Sequence, residues 1–187
     1  MASAFSHAVA ALGISACFFR PCVPTRVWVI GTVCSVLPDT DVIGFQFGIR
    51  YGDFWGHRGF THSILFAALI AGIIVALAFR DGVIGMSPLY LWLFLFLTTA
   101  SHGVLDAMTD GGLGVAFFSP FDIHRYFLPW QPIRVSSISV SRFFSERGLA
   151  VIKGELLWIW VPSILLGVSA LILRRSRFLR NQTIGQA

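Results

Sequence analysis

Charged residues are scarce in this sequence. Only 12% of its 187 residues are charged, whereas 56% are hydrophobic, and ordinary soluble domains carry about 25% charged residues. A soluble domain of this length buries only about 70% of its surface on folding, so it could not hide so many apolar side chains. The composition therefore excludes a soluble globular domain and predicts a membrane protein.

Lysine and cysteine are scarce as well. A single lysine accompanies thirteen arginines, and these basic residues lie between apolar blocks. That arrangement is typical of membrane topology signals, whereas a nucleic-acid-binding protein would carry them along one exposed face, so no nucleic-acid partner is expected. The three cysteines, Cys17, Cys22 and Cys34, form no CxxC pair, so we expect small buried side chains and no disulfide framework.

Two common hydrolase motifs are absent. The sequence contains no HExxH, which argues against the commonest zinc-protease arrangement. It contains no GxSxG, which argues against a serine lipase. Hydrolytic chemistry in this chain would need another arrangement of residues.

Five apolar segments are candidates for transmembrane helices. The second is the shortest, because only Val27–Leu37 is cleanly apolar, and it would be tilted, thin the bilayer or re-enter it. The sequence predicts one all-α domain over residues 1–187, a polytopic bundle of about five transmembrane helices. The segments are 3–19, 25–37, 63–79, 88–106 and 156–173.

The arginines predict an orientation. They fall after the first segment (Arg20 and Arg26), after the third (Arg80) and in the tail 174–187. Five spans place these three positions on one side, which the positive-inside rule assigns to the cytoplasm. The 38–62 loop and the long connection 107–155 then lie outside, in an inner or plasma membrane.

Histidine and acidic side chains collect at the outer ends of all five segments. Each has an ordinary explanation by itself, as an interfacial polar residue or a helix cap. Together at one depth they are costly to keep in a membrane, and such residues usually mark a functional site. The set comprises His7, Asp39, Asp41, His57, His62, His102, Asp106 and Glu155.

Imidazoles and carboxylates are the ligands that divalent metals select. Zn²⁺ binds both groups at about 2.0–2.2 Å, and carboxylates also suit Mn²⁺. Eight candidates exceed the needs of one tetrahedral ion. Either some of them orient the ligand side chains, as we expect for Glu155 unless it adds a further ligand, or two ions share the site.

Several stretches resemble the YdjM family of inner-membrane metal-dependent hydrolases. They are LPDTD, GHRGFTHS and SHGVLDAMTDGG, with SHAVAA before them and PFDIHRYFLPW after, across roughly residues 5–135. The resemblance implies a membrane metal hydrolase but no particular substrate. It also implies a set of metal-site residues: His7, Asp39, Asp41, His57, His62, His102 and Asp106.

The chain departs from the family pattern at two positions. Val42 stands where family members often have a histidine, which removes one possible ligand. Thr109-Asp110-Gly111-Gly112 replaces a T-P-x-G element and brings an extra carboxylate, Asp110, beside the site.

Catalytic roles can be assigned by chemistry. Gly56 and Gly59 would let the backbone turn tightly. Arg58 would bind an anionic substrate group, because guanidinium matches phosphate bidentately. A carboxylate left over from coordination, either Asp41, Asp106 or Asp110, would be the general base.

The position of an aromatic segment in the predicted topology indicates the substrate class. The aromatic segment 113–130 falls on the outer side, where aromatic side chains collect at membrane interfaces. We therefore expect phosphoester hydrolysis of a membrane lipid or a lipid-linked substrate. The alternative is a metal-ion or proton transporter or channel, which would use the same His/Asp cluster but needs polar groups across the whole membrane thickness.

Overall fold

A computed structural model describes residues 1–18, 20–136 and 146–184, and the regular structure within these ranges is entirely helical. This confirms the predicted all-α membrane bundle. The helices are α1 (Ala4–Phe18), α2 (Thr25–Val36), α3 (Ile64–Ala78), α4 (Pro88–Ala107), α5 (Glu146–Glu155) and α6 (Val161–Ile184). Two 3-10 segments, Leu37–Phe47 and Phe60–His62, and a π-helical segment, Leu156–Trp160, adjoin them.

Each of the five predicted segments contains a helix, but two of them differ in extent. The second continues beyond α2 through the 3-10 segment Leu37–Phe47. The last continues as α6 into the arginine-rich tail. Neither glycine nor proline follows Gly167 within that helix, and arginine and leucine are strong helix formers, so nothing local ends it.

Among the described residues, three helical stretches are long and apolar enough to cross a membrane: Thr25–Phe47, Pro88–Ala107 and Gly148–Ser176. The apolar helices α1 and α3 have 15 residues each, about 22 Å at 1.5 Å per residue. They are therefore shorter than the hydrocarbon core of about 30 Å.

The helices alternate between two ends of the bundle. At one end, here called the arginine end, Arg20 donates to the carbonyl of Gly85, and Arg174 donates to the carbonyl of Cys17. The other end is called the site end, and there the predicted ligands meet. The second predicted segment runs from the arginine end, where Arg26 lies over the ring of Phe79, to the site end, where the carbonyl of Ser35 contacts His102.

The core between the two ends is apolar and tightly packed. Val27, Leu91, Phe94 and Leu95 are buried in it. A Cβ at Gly31 would lie 2.4 Å from the ring of Phe94, so α2 and α4 approach closely there. This packing fixes the relative positions of the helix ends that carry the site.

Candidate metal centre

The first carboxylates of the site come from the 3-10 extension of α2. Pro38 stands at its beginning, where a missing N–H costs no hydrogen bond. Asp39 and Asp41 follow, and each is only 8% exposed. The extension thus carries two carboxylates into the site end.

The GHRGFTHS stretch folds into a tight loop beside them. A Cβ at Gly56 would lie 2.2 Å from the carbonyl oxygen of Arg50, and one at Gly59 would lie 2.3 Å from that of Phe54. Arg58 adopts a φ of 65°, a left-handed conformation that non-glycine residues rarely take. The predicted need for both glycines is confirmed, because no side chain fits at either position.

Helix α4 supplies the remaining pair. His102 and Asp106 lie one turn apart on the same face, as their spacing predicts, and both are completely buried. Gly103 allows the close approach of the loop, because a Cβ there would lie 2.9 Å from the carbonyl oxygen of His62.

Four side chains converge on one point, and we call Asp39, His62, His102 and Asp106 the ligand cluster. The Nε2 atoms of His62 and His102 are 3.1 Å apart. Oδ1 of Asp39 lies 3.3 Å from Nε2 of His102 and 3.7 Å from Nε2 of His62. Oδ2 of Asp106 also lies 3.7 Å from Nε2 of His62. Ligands of one tetrahedral zinc ion would be about 3.3–3.6 Å apart, so these separations fit a shared ion.

Hydrogen bonds orient both imidazoles of the cluster. Nδ1 of His102 lies 2.7 Å from the carbonyl oxygen of Ser35, which can only accept. Thr61 donates its hydroxyl hydrogen to Asp41 over 2.7 Å, so the same oxygen can only accept from Nδ1 of His62, 3.1 Å away. The hydrogen therefore resides on Nδ1 of each neutral ring, and Nε2 is left for an ion.

Several buried polar atoms of the site have no hydrogen-bond partner. They are both oxygens of Asp39, Nε2 of His57 and both ring nitrogens of His7. Buried polar atoms are nearly always bonded, so such a group needs an explanation. All three side chains are of metal-binding types, and an ion would satisfy the unpaired atoms of Asp39 in the ligand cluster.

Electrostatics also favour a cation. Burial alone would lower the pKa of His62, but the neighbouring carboxylates of Asp39 and Asp41 outweigh burial and raise it to about 9. Burial lowers the pKa of His57 despite its contact with Asp41. Arg58 neutralises only part of the carboxylate charge through Asp106, which accepts from its Nε over 3.0 Å.

The chain matches the family described as YdjM inner membrane protein over residues 1–177. It belongs to the YdjM family. Inner membrane protein YbcI of Escherichia coli (strain K12) is 39% identical over 169 residues, which cover 89% of this chain and 95% of that protein. No solved structure matches. The resemblance predicted from five short stretches is thus confirmed and extends over most of the chain.

A second group of metal-binding side chains adjoins the ligand cluster in this YdjM-family chain. Asp41, His57 and His62 form it, and Oδ1 of Asp41 lies 2.7 Å from Nδ1 of His57. Because His62 belongs to both groups, the structure brings six of the seven residues implied by the resemblance into one continuous site.

His7 and Glu155 adjoin this site without belonging to either group. The ring of His7 stacks on that of His102 at 3.7 Å, and its Nε2 lies 3.5 Å from Oδ1 of Asp106. Glu155 accepts from the backbone N–H and hydroxyl of Ser3 and from the hydroxyl of Ser6. Glu155 therefore holds the first turn of α1, the helix that carries His7.

Arg58 and Asp110 stand in different surroundings from those expected. Arg58 is completely buried, and its Nη atoms donate to Thr109 and to the carbonyl of Gly111. Asp110 is exposed and accepts from the backbone N–H of Val135 over 2.8 Å. The roles of Arg58 toward an anionic substrate and of Asp110 as a base stay predictions.

Other polar residues support the site without having been predicted. Thr61 lies within GHRGFTHS and Thr109 within SHGVLDAMTDGG, and these motifs were their signal. Arg125 lies within PFDIHRYFLPW and had no predicted role, yet it donates to the backbone carbonyls of His57 and Tyr51 and so holds the loop. Its partners are more than 60 positions away in the chain, so only the fold could reveal it.

Proposed function

We propose that this YdjM-family chain is a membrane-embedded metal-dependent hydrolase. The observation that carries the proposal is the ligand cluster: four buried ligand atoms from three separate parts of the chain lie within 4.8 Å of one another, and four of the pairs are 3.1–3.7 Å apart. Two carboxylates and two imidazoles with free Nε2 atoms form a ligand set that suits Zn²⁺ best and Mn²⁺ as the alternative. Asp41, His57 and His62 form the second group beside this cluster.

Such an ion would supply water activation, because it would lower the pKa of a bound water to near neutrality. The protein contributes burial, which excludes bulk water, and orientation of the ligands. Arg58 offsets part of the negative charge of Asp106, so the cluster holds fewer uncompensated charges when an anionic substrate approaches. This division of tasks suits hydrolysis of a phosphoester.

The surroundings of the site favour a lipid or lipid-linked substrate. The aromatic segment 113–130 is tied to the loop, because the backbone N–H of Ala116 donates to the carbonyl of Arg58. Within that segment, Phe118 is 53% exposed and Phe121 is 88% exposed. Exposed aromatic side chains beside a membrane bundle suit the interface, where lipid head groups carry the phosphoesters.

The transporter alternative has less support. A transported ion needs polar groups along its path through the membrane. The hydrophobic core contains Phe94, Leu95 and Val27, and the buried hydroxyls of Thr98 and Thr99 donate to carbonyls of their own helix. The close contact of Gly31 with Phe94 leaves no room for a polar path there. The observed distribution of polar and apolar side chains therefore favours an enzyme over a transporter.

Metal analysis and a lipid screen test the proposal together. Wild-type protein and the His102→Ala variant would be purified in detergent, analysed for bound metal, and incubated with bacterial lipid extract. We expect wild-type protein to contain zinc or manganese and to convert a phosphorus-containing lipid, as detected by mass spectrometry. The variant should do neither. Lipid conversion by a metal-free variant would refute the metal-dependent mechanism.

A further inference from the structure

We propose that Asp41 is a positioning residue that orients His57 and His62 and does not itself bind the ion. The inference rests on the metal centre of the proposed function and assigns a distinct task to one of its carboxylates. The two aspartates of LPDTD then differ in role: Asp39 binds the ion, and Asp41 aligns the imidazoles.

The oxygens of Asp41 are already engaged by the protein. Oδ1 faces Nδ1 of His57 at 2.7 Å. Oδ2 accepts from the hydroxyl of Thr61 over 2.7 Å and from the backbone N–H of Arg58 over 3.2 Å, and Nδ1 of His62 also lies 3.2 Å away. A carboxylate offers about four acceptor positions, and the hydrogen bonds from His57, Thr61 and Arg58 take three of them, including both positions of Oδ2.

Asp39 presents the opposite environment. Both of its oxygens are buried and neither has a hydrogen-bond partner, although Oδ1 lies 3.3 Å from Nε2 of His102. Its full acceptor capacity is therefore available to an ion. The contrast between Asp39 and Asp41 distinguishes a ligand from a residue that orients ligands.

The 3-10 conformation explains how neighbouring carboxylates come to differ. With about three residues per turn, side chains two positions apart point about 120° apart around the axis. Asp39 and Asp41 both lie in the 3-10 segment Leu37–Phe47. One carboxylate can therefore face the ligand cluster while the other faces the GHRGFTHS loop.

Asp41 determines which nitrogen of each imidazole stays free. For His62 it acts through Thr61, whose hydroxyl donates to Asp41 and so accepts from Nδ1 of His62. For His57 it acts directly and leaves a buried Nε2 without a partner. Carboxylates that hold metal-binding imidazoles in this way commonly contribute about 10–100-fold to metal affinity.

Cobalt binding by the full chain tests the assignment. Wild-type, Asp41→Asn and Asp39→Asn proteins would be stripped of metal and titrated with Co²⁺, with Asp81→Asn as a control for the same chemical change at an exposed carboxylate of the arginine end. The measurements are cobalt per chain at saturation, affinity by chelator competition, and the visible absorption bands, which report the ligands directly.

Asp41→Asn should keep the wild-type stoichiometry and absorption bands while binding cobalt about 10–100-fold more weakly. Asp39→Asn should alter the bands or lose cobalt, and Asp81→Asn should match wild type. Altered bands, a lost equivalent of cobalt or wild-type affinity in Asp41→Asn would overturn the positioning role while leaving the metal centre intact. A wild-type chain that binds no cobalt would overturn both proposals.

A second measurement on the wild-type protein does not depend on the folding of any variant. In zinc-loaded protein with ¹⁵N-labelled histidine, the nitrogen spectrum should show His57 and His62 with the hydrogen on Nδ1. A merely structural Asp41 would not fix the tautomers. Finding the hydrogen on Nε2 of His57 would overturn the proposal.

Discussion

At the scale of single residues, the site is built from polar atoms that the protein leaves unpaired. Asp39 keeps two buried oxygens without a partner in the interior of a membrane bundle. Leaving a buried carboxylate unpaired costs free energy, and a bound cation removes that cost. Metal binding should therefore be sensitive to substitution of each ligand.

Replacing His62 by alanine should therefore reduce metal content sharply. The change removes one of the four cluster ligands and the only side chain shared by both groups. We expect the affinity for Zn²⁺ to fall by more than about tenfold. Metal analysis of purified protein would measure this, with Cys34→Ala as a buried control of unchanged metal content. Full occupancy in the His62 variant would contradict the assignment.

Metal affinity should depend on pH in a defined direction. The carboxylates hold a proton on His62 up to about pH 9 in the metal-free protein, since its pKa is about 9. An ion must displace that proton, so binding releases protons below pH 9 and weakens as the pH falls. The zinc affinity should decline by about tenfold per pH unit between pH 8 and pH 6.5. Titrations at fixed pH values would check this, and a pH-independent affinity would argue against His62 as a ligand.

At the scale of elements, the conformation of the GHRGFTHS loop matters as much as its histidines. The loop directs His57 and His62 inward only because its backbone passes within contact distance of the preceding turn. Ser63 then begins α3 and caps it, accepting from the backbone N–H of Phe66 over 3.0 Å. Ser63 is thus the N-cap of α3.

Gly56→Ala should disturb the loop and the metal site together. Its Cβ would lie 2.2 Å from one backbone oxygen and 2.4 Å from another, and backbone atoms cannot yield as a flexible side chain does. We expect a loss of about 1–3 kcal/mol in stability, as for other overpacked sites, with reduced metal content. Thermal unfolding in detergent would measure the loss.

Gly52→Ala provides the matched control for that experiment. The nearest atom to a Cβ there is 3.8 Å away, on the side chain of Leu113. Stability and metal content should stay close to wild type. Equal effects of the two substitutions would show that loop flexibility, and not the close approach at Gly56, determines the outcome.

At the scale of the whole molecule, the bundle separates two kinds of charge. The arginine end carries Arg20, Arg26 and Arg80, whereas the site end carries the ligand cluster. The positive-inside rule predicts that the arginine end faces the cytoplasm and that the site lies on the extracytoplasmic side. The outer connection also carries arginines and exposed acidic residues. Charges in long loops have little influence on orientation, so they hardly affect this prediction.

Cysteine labelling on intact cells tests this orientation. In a background without Cys17, Cys22 and Cys34, single cysteines would replace Asp53 and Asp81, which adjoin opposite ends of α3. An impermeant thiol reagent should label position 53 and not position 81. The reverse pattern would place the metal centre on the cytoplasmic side.

Hydropathy and charge were sufficient to predict the helices and their alternation. Each apolar segment can be recognised from the local sequence. If all five segments cross, every candidate ligand lies at the same end of the bundle. This reasoning correctly brought His62, His102 and Asp106 together. It did not anticipate helix α5 within the outer connection, or the length of α6.

The tertiary structure alone decided what each polar group does. Ser35 holds His102 from 67 positions away in the chain, Asp41 holds His57 from 16 positions away, and Glu155 holds Ser3 from 152 positions away. From the sequence alone, one carboxylate or imidazole cannot be distinguished in role from another. Their roles differ because hydrogen bonds have direction and short range, so the occupied and the free atoms of each group are defined only once distant segments have packed.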